Sequence, residues 1–102
     1  YDLCDNLIYD NLLYESENDK SFGILICGTG IGMCMTANKI NRIRCALCTN
    51  NFMAQMAKEH NNANVLSFGC RTTDIETMKS MIQIFIESKF EGGRHKKRID
   101  KI

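Results

Sequence analysis

Residues 22–33, FGILICGTGIGM, constrain the fold more than any other part of this chain. A short apolar run of Ile24, Leu25 and Ile26 ends at Cys27, then breaks into a turn with glycine at 28, 30 and 32. Beyond the turn the residues have helical character. The pattern predicts a buried strand, Gly23–Cys27, that delivers a cysteine to the mouth of a glycine-rich loop with a helix starting behind it. Backbone N–H groups of such a loop and helix start attract anions and stabilise a thiolate. The arrangement points to chemistry on a small, negatively charged substrate.

The remaining sequence alternates helix and strand. Asp2 is expected to cap a first helix with Leu3, Leu7, Ile8 and Leu12 on one face, followed by a polar connection at 15–21. After the glycine loop a helix is expected to Lys39, and residues 44–48 read as a second strand. Asn50 or Asn51 caps a helix that runs to about His60, and residues 64–68 form a third strand closed by Gly69. Thr73 and Glu76 have capping-box spacing and open a helix with Ile75, Met78, Ile82, Phe85 and Ile86 on one stripe. Gly92-Gly93 breaks the chain before a short basic helix at 94–102. Strands alternating with helices imply a parallel sheet covered on both faces, a three-layer α/β/α sandwich of Rossmann-like type. The chain opens on a helix without an initiator methionine and offers only three strands. That helix reads as the crossover of a βαβ unit, so a piece of the fold is expected to be missing before it.

Composition narrows the partners. At 102 residues the chain is one domain, with 44% apolar and 25% charged residues, as in a soluble globular protein. A net charge of +1 gives no general affinity for nucleic acid. No apolar run approaches the roughly 20 residues of a membrane span, and no secretory signal is visible. Cys4, Cys27, Cys34, Cys45, Cys48 and Cys70 lie mostly in apolar strand or helix contexts. They are expected to be reduced thiols of a cytoplasmic protein.

The candidate residues each admit two readings. GTGIGM has methionine where a dinucleotide fingerprint needs its third glycine, and no acidic residue ends the next strand. No lysine-serine/threonine pair succeeds it, so it is not a Walker loop. The turn is then either a plain strand-to-helix connection or an anion site, and Cys27 either a small hydrophobe or a reactive thiol. Cys45-x-x-Cys48 has metal or redox spacing, but three steps along a strand point to opposite faces and no further ligand pair completes a zinc site. His60, in KEHNNAN, is either a charge near a helix C-terminus or a general acid/base beside Asn61. Arg94 and Arg98, four apart, share a helix face as a phosphate clamp or belong to a solvated basic tail. His95, among those basic residues, is expected to be solvated. Arg71 lies just past Gly69 at the carboxyl end of a strand, where α/β sheets build their sites.

Three blocks together, ILICGTGIGM, KEHNNANVLSFGCR and FEGGRHKKR, resemble the ribose 5-phosphate isomerase B family of aldose–ketose isomerases, in the family's order and spacing. The galactose 6-phosphate isomerases are the related branch. The resemblance implies a proton-shuttling base at Cys27 and, at Gly28, Thr29, Gly30, Ile31 and Gly32, a loop that cups enediolate oxygens. It implies a ring-opening acid/base at His60 and a hydroxyl contact at Asn61. Arg71, Arg94 and Arg98 become substrate and phosphate contacts, with no metal or organic cofactor. It also implies a homodimer or homotetramer with a shared active site, the His60–Arg71 region of one subunit facing the Cys27 loop of another. The family's opening strand, with an Asp-His pair that binds sugar and phosphate, has no counterpart in this sequence. By this reading the chain corresponds to roughly the C-terminal two-thirds of the domain.

Overall fold

The computed structural model describes residues 21–102. The expected first helix and Cys4 lie outside the described residues. Three apolar segments form β1 (Gly23–Cys27), β2 (Cys45–Leu47) and β3 (Val65–Gly69), which pair in parallel in the order β1-β3-β2. Register sets Cys27 opposite Gly69 and Leu25 opposite Ser67, with Leu47 opposite Ser67 on the other side. The carboxyl ends of β1 and β3 therefore lie side by side.

Parallel strands need a covered crossover on each face. Leu25 and Val65 pack with Ala37 and Ile43 beneath α1 (Ile31–Ala37), and Met33, Ile40 and Cys45 flank them. On the opposite face Leu66 and Phe68 pack with Cys48, Ala54, Ala57, Met78, Met81 and Phe85. These partners come from the end of β2, from α2 (Asn51–Glu59) and from α3 (Ile75–Glu87). The result is the expected three-layer sandwich. Cys45 and Cys48 join different faces, as their three-residue spacing requires, and the five described cysteines are free thiols.

Because β3 lies between β1 and β2, the connection leaving β1 rises to one face and that leaving β3 to the other. Ligand sites of open α/β sheets form where adjacent connections diverge in this way. Here that point is the crevice between Cys27 and Gly69.

Several element details differ from the sequence reading. The helix after the glycine loop ends at Ala37, and the terminal helix α4 is Arg94–Ile99. α3 is capped by Asp74, whose carboxylate accepts the Thr77 N–H at 2.8 Å, and not by Thr73. Thr73 is instead buried with its N–H on the Gly69 carbonyl, and its Oγ1 has no partner. The buried stripe of α3 is Met78, Met81 and Phe85, whereas Ile75 and Ile86 are exposed. β1 is also not buried on both sides. Ile24 and Ile26 share the face of Leu66 and Phe68 yet remain exposed, because β1 is an edge strand among the described residues. Asn50 caps α2 as expected, accepting the Met53 N–H at 2.9 Å.

Candidate active site

Cys27 stands at the end of β1 with its Sγ accepting the Gly30 N–H at 3.1 Å. The Met33 N–H acts most strongly on the thiol and lowers its pKa. Burial opposes it less strongly, and the N–H groups of Gly30, Thr29 and Gly32 add to the lowering. Convergent N–H dipoles at a helix start favour the thiolate. Cys48 lies at the other extreme, pushed up to about 11 by burial and then by Cys34. Burial, with Cys34 beside it, also raises Cys45. Of these three thiols Cys27 alone is shifted toward the thiolate.

The loop is held in this shape by close backbone approach. Gly30 has φ 80°, and a Cβ there would stand 2.6 Å from Leu47 Cδ1 and 2.9 Å from the Phe68 carbonyl carbon. A Cβ on Gly69 would stand 2.5 Å from the Thr29 carbonyl carbon. Only glycine at both positions lets the turn lie directly on β3. The buried Ser67 hydroxyl then donates to the Gly30 carbonyl at 2.7 Å. Cys70 N–H bonds to the Cys27 carbonyl and Arg71 N–H to the Gly28 carbonyl, at 2.8 and 2.9 Å. The Arg71 side chain runs past Gly28, its Cδ 3.7 Å from where a Cβ would stand. Thr29 Oγ1 accepts the Ile31 N–H at 3.3 Å and is exposed at the mouth. Sequence reasoning missed Ser67 and the packing role of Gly69. The available signal was a single hydroxyl inside the otherwise apolar run VLSFG.

The second group gathers at the other end of the sheet. α2 runs back from the carboxyl edge, so its C-cap His60 and the adjoining Asn61 lie near the start of β3. His60, Asn61, His95 and Arg98 line a pocket of about 210 Å³ with Ile99 and Ile102. Arg94 and Arg98 are exposed on α4, whereas His95 is buried, contrary to the solvated position expected from its neighbours. Its ring stacks on His60 with centroids 4.2 Å apart and planes at 9°. Glu91 Oε1 lies 3.5 Å from His95 Nε2 and 3.8 Å from His60 Nε2. The nitrogens of parallel rings direct their lone pairs side by side and not at one point, so the two imidazoles do not converge on a metal ion.

A family model described as Ribose/Galactose Isomerase matches residues 12–102. The chain belongs to that family. It is 48% identical to the probable ribose-5-phosphate isomerase B of Mycoplasma genitalium over 89 residues, covering 86% of this chain and 58% of that protein. It is 40% identical to the D-erythrulose-4-phosphate isomerase of Pectobacterium atrosepticum, covering 96% of this chain and 68% of that one. Among solved structures, the ribose-5-phosphate isomerase B of Clostridium thermocellum superposes with a TM-score of 0.88 at 37% identity. That match covers 98% of this chain and 65% of the other. The type B enzyme of Leishmania infantum gives 0.87 at 40%, covering 98% and 63%. The chain thus spans less than two thirds of the length of most of these relatives.

In this member of the ribose/galactose isomerase family the candidate residues fall into two sets. Cys27, Gly28, Thr29, Gly30, Ile31 and Gly32 stand with Arg71 at the carboxyl edge of the sheet. His60 and Asn61 stand with Arg98 at the amino edge. The five residues of β3 separate the two edges by about 13 Å. Arg71 therefore belongs with the Cys27 loop of its own chain, and not with His60 as the sequence reading groups it. Among the described residues no helix is long and apolar enough to cross a membrane.

Proposed function

We propose that this chain carries the catalytic loop of a sugar-phosphate isomerase that interconverts ribose 5-phosphate and ribulose 5-phosphate through a cis-enediol. The observation that supports this most directly is the Cys27 thiol, held by the Gly30 N–H at the divergence point of the sheet with its pKa lowered. Isomerisation needs a base that removes a proton from the carbon beside the carbonyl and returns it to the carbonyl carbon. It also needs donors where the enediolate charge develops. Cys27 supplies the first, and the N–H groups of the loop the second. His60 opens the ring by giving a proton to the ring oxygen as the anomeric hydroxyl releases one to water. Asn61 contacts a hydroxyl, and Arg71, Arg94 and Arg98 bind substrate and phosphate. No metal or organic cofactor enters this scheme.

Two copies are needed to complete the site, because one chain sets its two groups at opposite edges of its sheet. Ile31, Phe52, Met53 and Ile75, all at helix starts on the edge that carries Cys27, are exposed. Apolar side chains gathered around a polar mouth suit a covering partner. In the proposed homodimer, His60 and Arg98 of one copy close over the Cys27 loop of the other. A cytoplasmic enzyme is the setting in which these thiols stay reduced.

Alkylation and complementation test the reading. Iodoacetamide at neutral pH should modify Cys27 faster than Cys45 or Cys48, and ribose 5-phosphate should protect it. Cys27 ranked among the slow thiols removes it as the base. Cys27→Ala and His60→Ala, each inactive alone, should regain about a quarter of wild-type turnover when unfolded and refolded together. No recovery rejects the shared site. The family description favours galactose 6-phosphate as the second substrate to assay.

A further inference from the structure

His95 occupies a position that its sequence neighbours do not explain. It lies in RHKKR, yet is only 8% exposed, while the four basic residues around it face solvent. Its ring lies flat on His60. The Glu91 N–H donates to the Glu59 carbonyl at 2.9 Å, which ties the segment carrying Glu91 to the last turn of α2, immediately before His60. The Glu91 carboxylate then reaches both imidazoles through one oxygen. Two cationic rings face to face at this separation repel, and one carboxylate balances only one of them. Arg94 and Arg98 on α4 add positive charge near His95.

We infer that His60, His95 and Glu91 form one proton-handling unit, in which His95 is a positioning residue. It fixes the plane of the His60 ring and stays neutral, leaving Glu91 to balance the charge that His60 carries as it exchanges a proton with sugar oxygens. The inference rests on the ring-opening role of His60 for its catalytic consequence, and on geometry for the pairing itself. Burial, then His60, Arg94 and Arg98, lower the pKa of His95, while Glu91 opposes them. That direction leaves His95 neutral near pH 7.

The chain contains two histidines, so one substitution assigns each ring signal in an NMR titration. His95 should titrate below the ordinary histidine value of about 6.5. His60→Phe keeps a flat ring in the stack and removes the neighbouring charge, so the His95 midpoint should rise. Glu91→Gln, at an exposed position, should lower it. Midpoints unchanged in both variants overturn the inference. In turnover of ribose 5-phosphate, His95→Ala should lose about tenfold in kcat with KM little changed. His95→Phe should recover most of that loss, because it restores the flat face. An equal loss in both variants overturns the positioning role. Should His60→Ala keep full turnover, the acid/base reading of His60 fails, and the NMR midpoints still decide the pairing.

Discussion

Gly69→Ala should both destabilise the fold and quiet the thiol. A Cβ at this position would stand 2.5 Å from the Thr29 carbonyl carbon, 2.6 Å from its oxygen and 2.5 Å from Thr72 Oγ1. Those separations are about 0.9 Å short of ordinary van der Waals contact. Neither backbone can retreat easily. Gly69 is paired in register with Cys27, and its carbonyl accepts the Thr73 N–H at 2.9 Å. On the other side, the turn after Thr29 is pinned by the Ser67 hydroxyl and packed against Leu47 and Phe68. Overpacking a site of this kind costs about 1–3 kcal/mol. With a urea m-value of about 1.5 kcal/mol/M, the midpoint should fall by roughly 0.7–2 M. The segment that yields is the turn, so the Gly30 N–H moves off Cys27 Sγ and alkylation at pH 7 should slow severalfold. Gly32→Ala is the control. Nothing lies within 4 Å of its Cβ, and its φ is outside the left-handed region. At the second residue of α1, alanine should be neutral or stabilise by up to about 1 kcal/mol. Urea midpoints and Cys27 alkylation rates that are the same in both variants would refute the argument.

Arg98→Ala should weaken sugar-phosphate binding by about 1.5–3 kcal/mol and leave the unphosphorylated sugar nearly unaffected, as titration calorimetry of both ligands can measure. Asn64 accepts the Arg44 N–H at 2.8 Å and donates to the Arg42 carbonyl at 2.9 Å, bracing the connection into β2. Asn64→Ala should cost about 1–3 kcal/mol in urea denaturation, and a loss below about 0.5 would refute the bracing role. Folding holds His95 below its unfolded value, so between the two midpoints the unfolded chain binds more protons. Stability should therefore fall as pH drops through the ordinary histidine range and level off below the folded midpoint. His95→Phe should flatten that slope in denaturation curves taken from pH 7.5 to 5.

The local parts of this fold are readable in the sequence because their signals are local. An apolar run into a glycine turn identifies β1 and the start of α1, and Asn50 ahead of a helical stripe identifies the cap of α2. Misreadings arise where two residues could serve equally well. Thr73 has capping-box spacing with Glu76, but the backbone at Thr73 is engaged by Gly69, which leaves the cap to exposed Asp74. The stripe of α3 includes Met81 in place of Ile75 and Ile86, because the surface it covers is set by α2 and β3 and not by its own periodicity.

The strand order is not written in any segment, and the site depends on it. Inserting β3 between β1 and β2 brings Gly69 and Ser67 under the Cys27 loop. That the thiol and His60 stand at opposite ends of one sheet follows from the alternation itself, because a helix between parallel strands returns the chain to the amino edge. His95 is hidden, as the strand order is. A helix reading RHKKR is solvated unless something turns one residue under, and here the Glu91 backbone, bonded to Glu59, brings α4 back onto the end of α2. That contact joins residues about thirty positions apart. It places a buried imidazole against the proposed acid/base, which local composition cannot encode.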